Sequence, residues 1–206
     1  MKPRLRIKIK EALAAMPDEL AARKSRLACQ RLVALPEFGK ARSVMIFLHM
    51  AHEPDTTEIA KAAWELQKAV LVPKVDWRRR HMRALRIHSI DDRIVEHDYG
   101  LREPINGEPW PVEEIDFIVV PALAFDRRGH RLGRGAGFYD RFLAQQGLHA
   151  ATCGLAFAEQ CVEELPVHAN DWPVDMLVTD EAVVRFNNCK AHQPPGRSAA
   201  MGATEK

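Results

Sequence analysis

Between residues 4 and 34 the apolar positions Leu5, Ile9, Leu13, Leu20, Leu27 and Leu32 recur among Ala, Lys and Arg. Such spacing lines one side of a helix. Met16-Pro17-Asp18 interrupts it, so two helices are predicted, with Asp18 placed to cap the second. Val44-Met45-Ile46-Phe47-Leu48 then switches to a continuous apolar run of strand length. Asp55 or Thr56 caps a helix over roughly residues 56–68. Ala69-Val70-Leu71-Val72-Pro73 reads as a second strand ended by its proline, and Met82 to Ile87 as a third. Residues 96–114 form a Gly/Pro-rich loop. Ile115 to Pro121 is the clearest buried strand, followed by a loop from Phe125 to Gly137 and a helix from Phe138 to Gln146. Thr152 to Phe157, Met176 to Thr179 and Ala182 to Phe186 complete the strands. Strands alternating with helices predict an α/β fold, a mostly parallel sheet flanked by helices, as a single domain over residues 1–186. From Asn187 to Lys206 the chain turns polar and rich in small residues, the composition of a disordered tail.

Composition narrows the class. A length of 206 residues with 47% hydrophobic and 28% charged residues suits one ordinary globular core. No apolar run reaches membrane-spanning length, so no membrane partner is expected. Cys29, Cys153, Cys161 and Cys189 are scattered without CxxC spacing, which fits reduced thiols, a cytoplasmic location and inert packing. The nine histidines form no HxH or HxxxH pattern that would suggest a structural metal site.

The net charge of +2 conceals basic segments at 1–31, 74–86 and 126–141, and an acidic one at 156–185. Converging basic segments would attract a polyanion, though each alone reads equally as solvated surface. Overall charge near neutrality and the lack of a recognisable motif argue against nucleic acid as a partner. A monomer or weak dimer is expected.

The chemistry concentrates at Arg131-Leu132-Gly133-Arg134-Gly135-Ala136-Gly137-Phe138-Tyr139-Asp140. Three alternate glycines between a strand and a helix let backbone amides approach a ligand closely. The helix start adds partial positive charge. Arg131 and Arg134 supply guanidinium forks that match phosphate oxygens. Asp140 is either a helix-terminus acid or a Mg²⁺ ligand. No Gly-Lys-Ser/Thr closes the loop, and the third glycine comes one residue early for a dinucleotide fingerprint.

The run from Val120 to Asp140 resembles the signature of the 5-formyltetrahydrofolate cyclo-ligase family, also called methenyltetrahydrofolate synthetase. Lys2-Pro3-Arg4-Leu5-Arg6 is similar to that family's N-terminal Lys-x-x-Leu-Arg, and Glu53-Pro54-Asp55-Thr56 to its Glu-x-x-Thr element. Gln160, Leu165-Pro166, His168 and Asp171 resemble its C-terminal block, so the likeness covers roughly residues 2–180. One departure is Phe138-Tyr139-Asp140 where many members carry Tyr-Tyr-Asp: an aromatic is kept and a hydroxyl lost.

The resemblance implies ATP-dependent closure of 5-formyltetrahydrofolate to 5,10-methenyltetrahydrofolate, with ADP and phosphate released. It implies ATP contacts from Lys2 and Arg6, spaced i, i+4 on one helix face, and along Arg131, Leu132, Gly133, Arg134, Gly135, Ala136, Gly137, Phe138 and Tyr139. Folate contacts would come from Leu48, Glu53, Arg134, Gly135, Ala136, Gly137 and Phe138. Leu48 fits a core residue as well as a pterin-facing wall. Arg134 and Asp140 are the implied catalytic residues, and Asp140 with Asp171 the Mg²⁺ ligands, Asp175 being a rival. Lys74 is a candidate for phosphate or the folate glutamate, and Arg78-Arg79-Arg80 for drawing in an anionic substrate; both read equally as solvated charge. The alternatives are a sugar-phosphate isomerase, which needs no ATP, and a folate- or nucleotide-binding paralogue without turnover.

Overall fold

The computed structural model describes residues 2–90, 94–97 and 100–186; the expected tail at 187–206, with Cys189, lies outside them. Three helices lead the chain: α1 (Lys2–Ala14), α2 (Asp18–Val33) and the short α3 (Pro36–Lys40). Strand β1 (Ser43–Met45), helix α4 (Thr57–Glu65) and the hairpin β2 (Ala69–Asp76) and β3 (His81–Ile87) follow. Next come β4 (Ile94–Glu96), β5 (Arg102–Pro104), β6 (Glu108–Trp110) and β7 (Phe117–Val120). The last stretch holds β8 (Ala124–Asp126), β9 (Arg131–Leu132), α5 (Phe138–Leu143), β10 (Ala151–Leu155), β11 (Cys161–Val162), β12 (Met176–Val178) and β13 (Val183–Arg185).

Eight strands form the main sheet in the order β13-β12-β10-β7-β1-β2-β3-β6. The five central strands run parallel, and β13, β3 and β6 join the two sides antiparallel. Successive side chains on a strand point to opposite faces, and both faces here are covered. Val44 and Ile46, Val70 and Val72, Phe117 and Val119 pack with Ala28 and Leu32 of α2 and Ile59 and Ala60 of α4. Their neighbours Met45, Leu71, Ile118 and Val120 face the other way, toward Phe142 and Leu143 of α5. This double burial explains why these strands are continuous apolar runs rather than alternating ones. The α/β class, the largely parallel sheet and the single domain expected above are what the chain adopts.

Local details differ from expectation for physical reasons. Pro73 does not end β2, which continues to Asp76. Ile46 N donates to the Leu71 carbonyl, so alternation turns the position of Pro73's missing N–H to the β1 side. The β1 ladder has already stopped at Leu71, and proline is tolerated where no ladder bond is needed. Two residues on, Val75 N donates instead to Glu103 Oε1 at 2.7 Å. Asp18 begins α2 rather than capping it; Pro17 occupies the cap. At α4 the roles divide: Thr56 is the cap residue, but its hydroxyl donates to the Phe47 carbonyl while Asp55 Oδ1 accepts from Thr57 N. The 96–114 loop contains β5 and β6, and the loop expected before the glycines contains the β8–β9 hairpin. Asp126 organises that hairpin, its buried carboxylate accepting from the amides of Arg128, His130 and Leu165.

A third apolar cluster sets the geometry of the site. Ile9 and Leu13 of α1 pack on Leu123, Ala124, Leu132, Phe157 and Leu165. The first helix is thereby folded against the hairpin that delivers the glycine loop. Buried Gln160 fixes the preceding corner, donating to the carbonyls of Ala122 and Leu123 and accepting from Phe157 N.

Candidate active site

Beyond β9 the chain enters the glycine loop, and α1 lies across it. Arg6 Nε donates to the Gly133 carbonyl at 2.8 Å, and Lys2 Nζ bridges to Asp171 Oδ2 at 2.7 Å. Gly135 holds φ +118° and Gly137 +68°, conformations that side chains strain to adopt, whereas Gly133 is in neither situation. Helix α5 spans only Phe138–Leu143, shorter than predicted, so its dipole contributes less than a longer helix would. Any anion held here would therefore rely mainly on loop amides and cations.

The two loop arginines are placed differently. Arg131 is buried, its side chain 3% exposed, with Nη2 on Asp140 Oδ1 at 2.6 Å and Nη1 donating to the Trp172 carbonyl. Burial pulls its pKa down from the ordinary value, and the Asp140 charge opposes that. Arg131 is thus committed to anchoring Asp140 and the 171–173 turn rather than presented for direct phosphate contact. Arg134 is the outward-facing partner. Its Nε and Nη2 both donate to Glu53 Oε1, at 3.1 and 2.8 Å, and Glu53 Oε2 accepts from Met50 N.

Glu53 in turn lines a cavity of about 840 Å³, within the size of small-molecule sites. Its wall is built from α1 (Lys10, Leu13), the turn after β1 (Met50, Glu53), Arg102 at the start of β5, and Leu123. The Glu53–Arg134 pair therefore stands where the cavity meets the glycine loop. Leu48 is not part of this wall; it is buried in the core cluster with α2 and α4. Phe138 stacks edge-on against Trp77, centroids 4.9 Å apart. The Tyr139 hydroxyl is enclosed without a hydrogen-bond partner among the described residues, and burial raises its pKa.

Asp140 and Asp171 are brought to one place through Trp172, whose N–H donates to Asp140 Oδ1 at 3.3 Å. Asp171 Oδ2 also accepts from His168 N at 2.8 Å. Each carboxylate keeps one oxygen, Asp140 Oδ2 and Asp171 Oδ1, without a hydrogen bond among the described residues. Free carboxylate oxygens beside a phosphate-loop candidate are the hard donors Mg²⁺ takes, its other positions going to water and phosphate. Asp175 is otherwise engaged, with Thr152 N and Oγ1. Lys74 is tied to Glu103 and the Pro104 carbonyl.

Burial works to raise the Asp171 carboxyl, but the hydrogen bonds from Lys2 and His168 outweigh it and hold the pKa below its ordinary value of 3.8. A carboxyl depressed in the folded state adds stability above its unfolded pKa and loses it as pH falls through the folded one. Lys2→Ala is therefore expected to cost about 1 kcal/mol at pH 7. Urea melts should show that deficit vanish in acid, once Asp171 is protonated. A deficit unchanged at low pH would mean that Lys2 stabilises by something other than this bridge.

Among the described residues no thiol is primed for a chemical role. Cys29 and Cys153 are buried, and burial pushes Cys29 up to about 12. Cys161 is exposed and likewise raised.

Residues that the sequence alone did not single out are Lys10, Arg102, Trp77, Arg141 and Trp172. Lys10 continues the i, i+4 spacing of Lys2 and Arg6, so helix periodicity could have found it. The others reach the site from separate elements, and no local pattern marks them.

A profile of the 5-formyltetrahydrofolate cyclo-ligase family matches residues 1–180. The 5-formyltetrahydrofolate cyclo-ligase of Mus musculus is 30% identical, over 86% of this chain and 93% of its own. That of Escherichia coli (strain K12) is also 30% identical, over 85% and 98%. The solved structure of Aquifex aeolicus 5,10-methenyltetrahydrofolate synthetase superposes with a TM-score of 0.79 at 33% identity, covering 95% of this chain and 98% of that one. The Mycoplasma pneumoniae 5,10-methenyltetrahydrofolate synthetase, at 20% identity and a TM-score of 0.72, shares the fold.

Proposed function

The chain belongs to the 5-formyltetrahydrofolate cyclo-ligase family, and from that premise we propose how its own residues carry out the reaction. It closes 5-formyltetrahydrofolate to 5,10-methenyltetrahydrofolate with conversion of ATP to ADP and phosphate. The formyl group is amide-like: a weak electrophile whose oxygen leaves poorly. The formyl oxygen attacks the γ-phosphorus, forming one P–O bond as the bond to ADP breaks. Nitrogen 10 then adds to the activated formyl carbon, its proton passes to phosphate, and the C–O bond breaks to release that phosphate. In such transfers the protein mainly positions groups and neutralises charge.

The observation that carries this reading is the Glu53–Arg134 pair at the junction of cavity and glycine loop. A folate in the cavity brings its formyl oxygen beside a phosphate held at the loop. Arg134, partly exposed and bound among the described residues only to Glu53, can exchange that partner for the transferring phosphoryl group. Glu53, released, accepts from the pterin N–H groups. Lys2 and Arg6 bring the positive face of α1 over the loop amides of Gly133 to Gly137. Arg131 keeps Asp140 in place, and Asp140 with Asp171 would hold Mg²⁺, which supplies neutralisation of the polyphosphate charge. We place the protein in the cytoplasm, a reading supported by the free thiols Cys29, Cys153 and Cys161, and expect a monomer or weak dimer.

The test is the absorbance of methenyltetrahydrofolate on mixing the protein with 5-formyltetrahydrofolate, ATP and Mg²⁺. Product should accumulate in step with ADP and only with both substrates present. ATP binding without product would overturn the reading in favour of a non-catalytic paralogue. Chelation by EDTA should stop turnover, and an unchanged rate would remove Mg²⁺ from the scheme.

A further inference from the structure

Arg141, on the first turns of α5, reaches three separate parts of the molecule. Its Nη2 donates to the Ala136 carbonyl in the glycine loop at 2.9 Å. Its Nε donates to the Arg80 carbonyl at 2.7 Å, at the tip of the β2–β3 hairpin. Between these contacts the guanidinium lies 5.2 Å from the Phe138 ring centroid, and Phe138 packs against Trp77 of the same tip. One planar fork thus ties loop to hairpin across 61 residues of sequence.

Both ends of this bridge sit beside backbone in the left-handed region. Arg80 has φ +51°, the left-handed conformation that ends a four-residue hairpin turn and that a non-glycine residue adopts reluctantly. Gly137, next to Ala136, has φ +68°, and a Cβ there would come within 3.0 Å of Arg141 Nη1. The glycine therefore serves two ends: it permits the turn and leaves room for the arginine. Trp77 is 57% exposed although packed on Phe138, so the tip is held mainly by this contact and the bridge.

Resting on the proposed use of the loop for ATP, we propose that Arg141 is a positioning residue that latches the β2–β3 hairpin tip onto the glycine loop. The latch fixes the Ala136–Gly137 turn whose amides face the nucleotide, and sets Trp77 and Arg78–Arg80 as a wall beside it. Arg141 itself touches neither substrate. A lysine cannot replace it, because an ammonium lacks the two-armed fork that spans both carbonyls.

The test compares Arg141→Ala and Arg141→Lys with the wild-type protein in two measurements. Steady-state kinetics should show KM for ATP raised about tenfold by Arg141→Ala, the scale of losing the two hydrogen bonds. The change in kcat should be smaller, and the KM for formyltetrahydrofolate little altered. Limited tryptic cleavage after Arg78, Arg79 or Arg80, followed by mass spectrometry, should run several-fold faster once the tip is released. Arg141→Lys should rescue neither readout. Wild-type cleavage rates in Arg141→Ala would overturn the latch. Faster cleavage with an unchanged KM would overturn its link to ATP, and full rescue by lysine would reduce the role to charge. The cleavage readout needs no turnover, so it stands even if the cyclo-ligase assignment itself fails.

Discussion

Arg134→Ala is expected to lower kcat for cyclisation by about 10³-fold, the scale on which arginines that stabilise phosphoryl transfer contribute. Arg134 is the loop guanidinium not already spent on protein structure. Its two donors rest on a single Glu53 oxygen, and its side chain is 37% exposed, against 7% for Glu53. A partly exposed arginine hydrogen-bonded to a carboxylate beside a cavity is poised to trade partners. Arg134→Lys should recover only part of the loss, since a point charge does not reproduce bidentate contact with phosphate oxygens. Thermal melting serves as the control: leaving the buried Glu53 carboxylate with Met50 N alone should lower the midpoint by several degrees while a single cooperative transition is kept. Near wild-type kcat in Arg134→Ala would displace the transferring phosphoryl group from this loop.

Much of this site is legible in the sequence because it is built from one continuous segment and two short motifs. Arg134, Glu53, Lys2, Arg6, Asp140 and Asp171 could all be named before their positions in space were known, and the fold brings them to one region. Burial was harder to read. Arg131 and Arg134 carry the same side chain three residues apart, yet one falls on β9, enclosed by Asp140 and the Trp172 carbonyl, and the other beyond it in the open loop. Strands of two and three residues leave no periodicity, so nothing in the sequence marks β9 and β8 as strands. Pro73 misled for a related reason: a proline ends a strand only where its missing N–H faces a ladder, and that depends on where the neighbouring strand stops. Leu48 could face core or ligand on sequence grounds, and the packing of α2 and α4 against that sheet face decides it. The Arg141 bridge joins elements 61 residues apart through backbone carbonyls, which carry no sequence signal at all.

Asp140 has a double commitment, and separating its two parts gives the second large effect. Among the described residues its carboxylate is the one ion-paired with the buried Arg131 guanidinium, while its other oxygen, Oδ2, has no donor. Deleting one member of a buried pair leaves the other uncompensated, at a cost of about 3–5 kcal/mol. Asp140→Ala should therefore abolish turnover and also lower the melting midpoint by roughly 10 °C for a domain of this size. Lost activity in that variant alone would be ambiguous between damage to the fold and loss of a catalytic carboxylate. The double variant Arg131→Met, Asp140→Ala resolves it, because replacing a buried ion pair by an apolar side chain is often neutral for stability. Its melting midpoint should return toward wild type while cyclisation stays absent. Recovery of turnover together with stability would show that Asp140 serves the fold alone, and Oδ2 would then have no part in holding Mg²⁺. Asp140→Asn approaches the same question from the other side: its amide oxygen can still accept from Trp172 N, so the 171–173 turn stays seated while the negative charge is gone. Loss of turnover in a variant that keeps the turn but lacks the charge would assign the effect to the carboxylate itself.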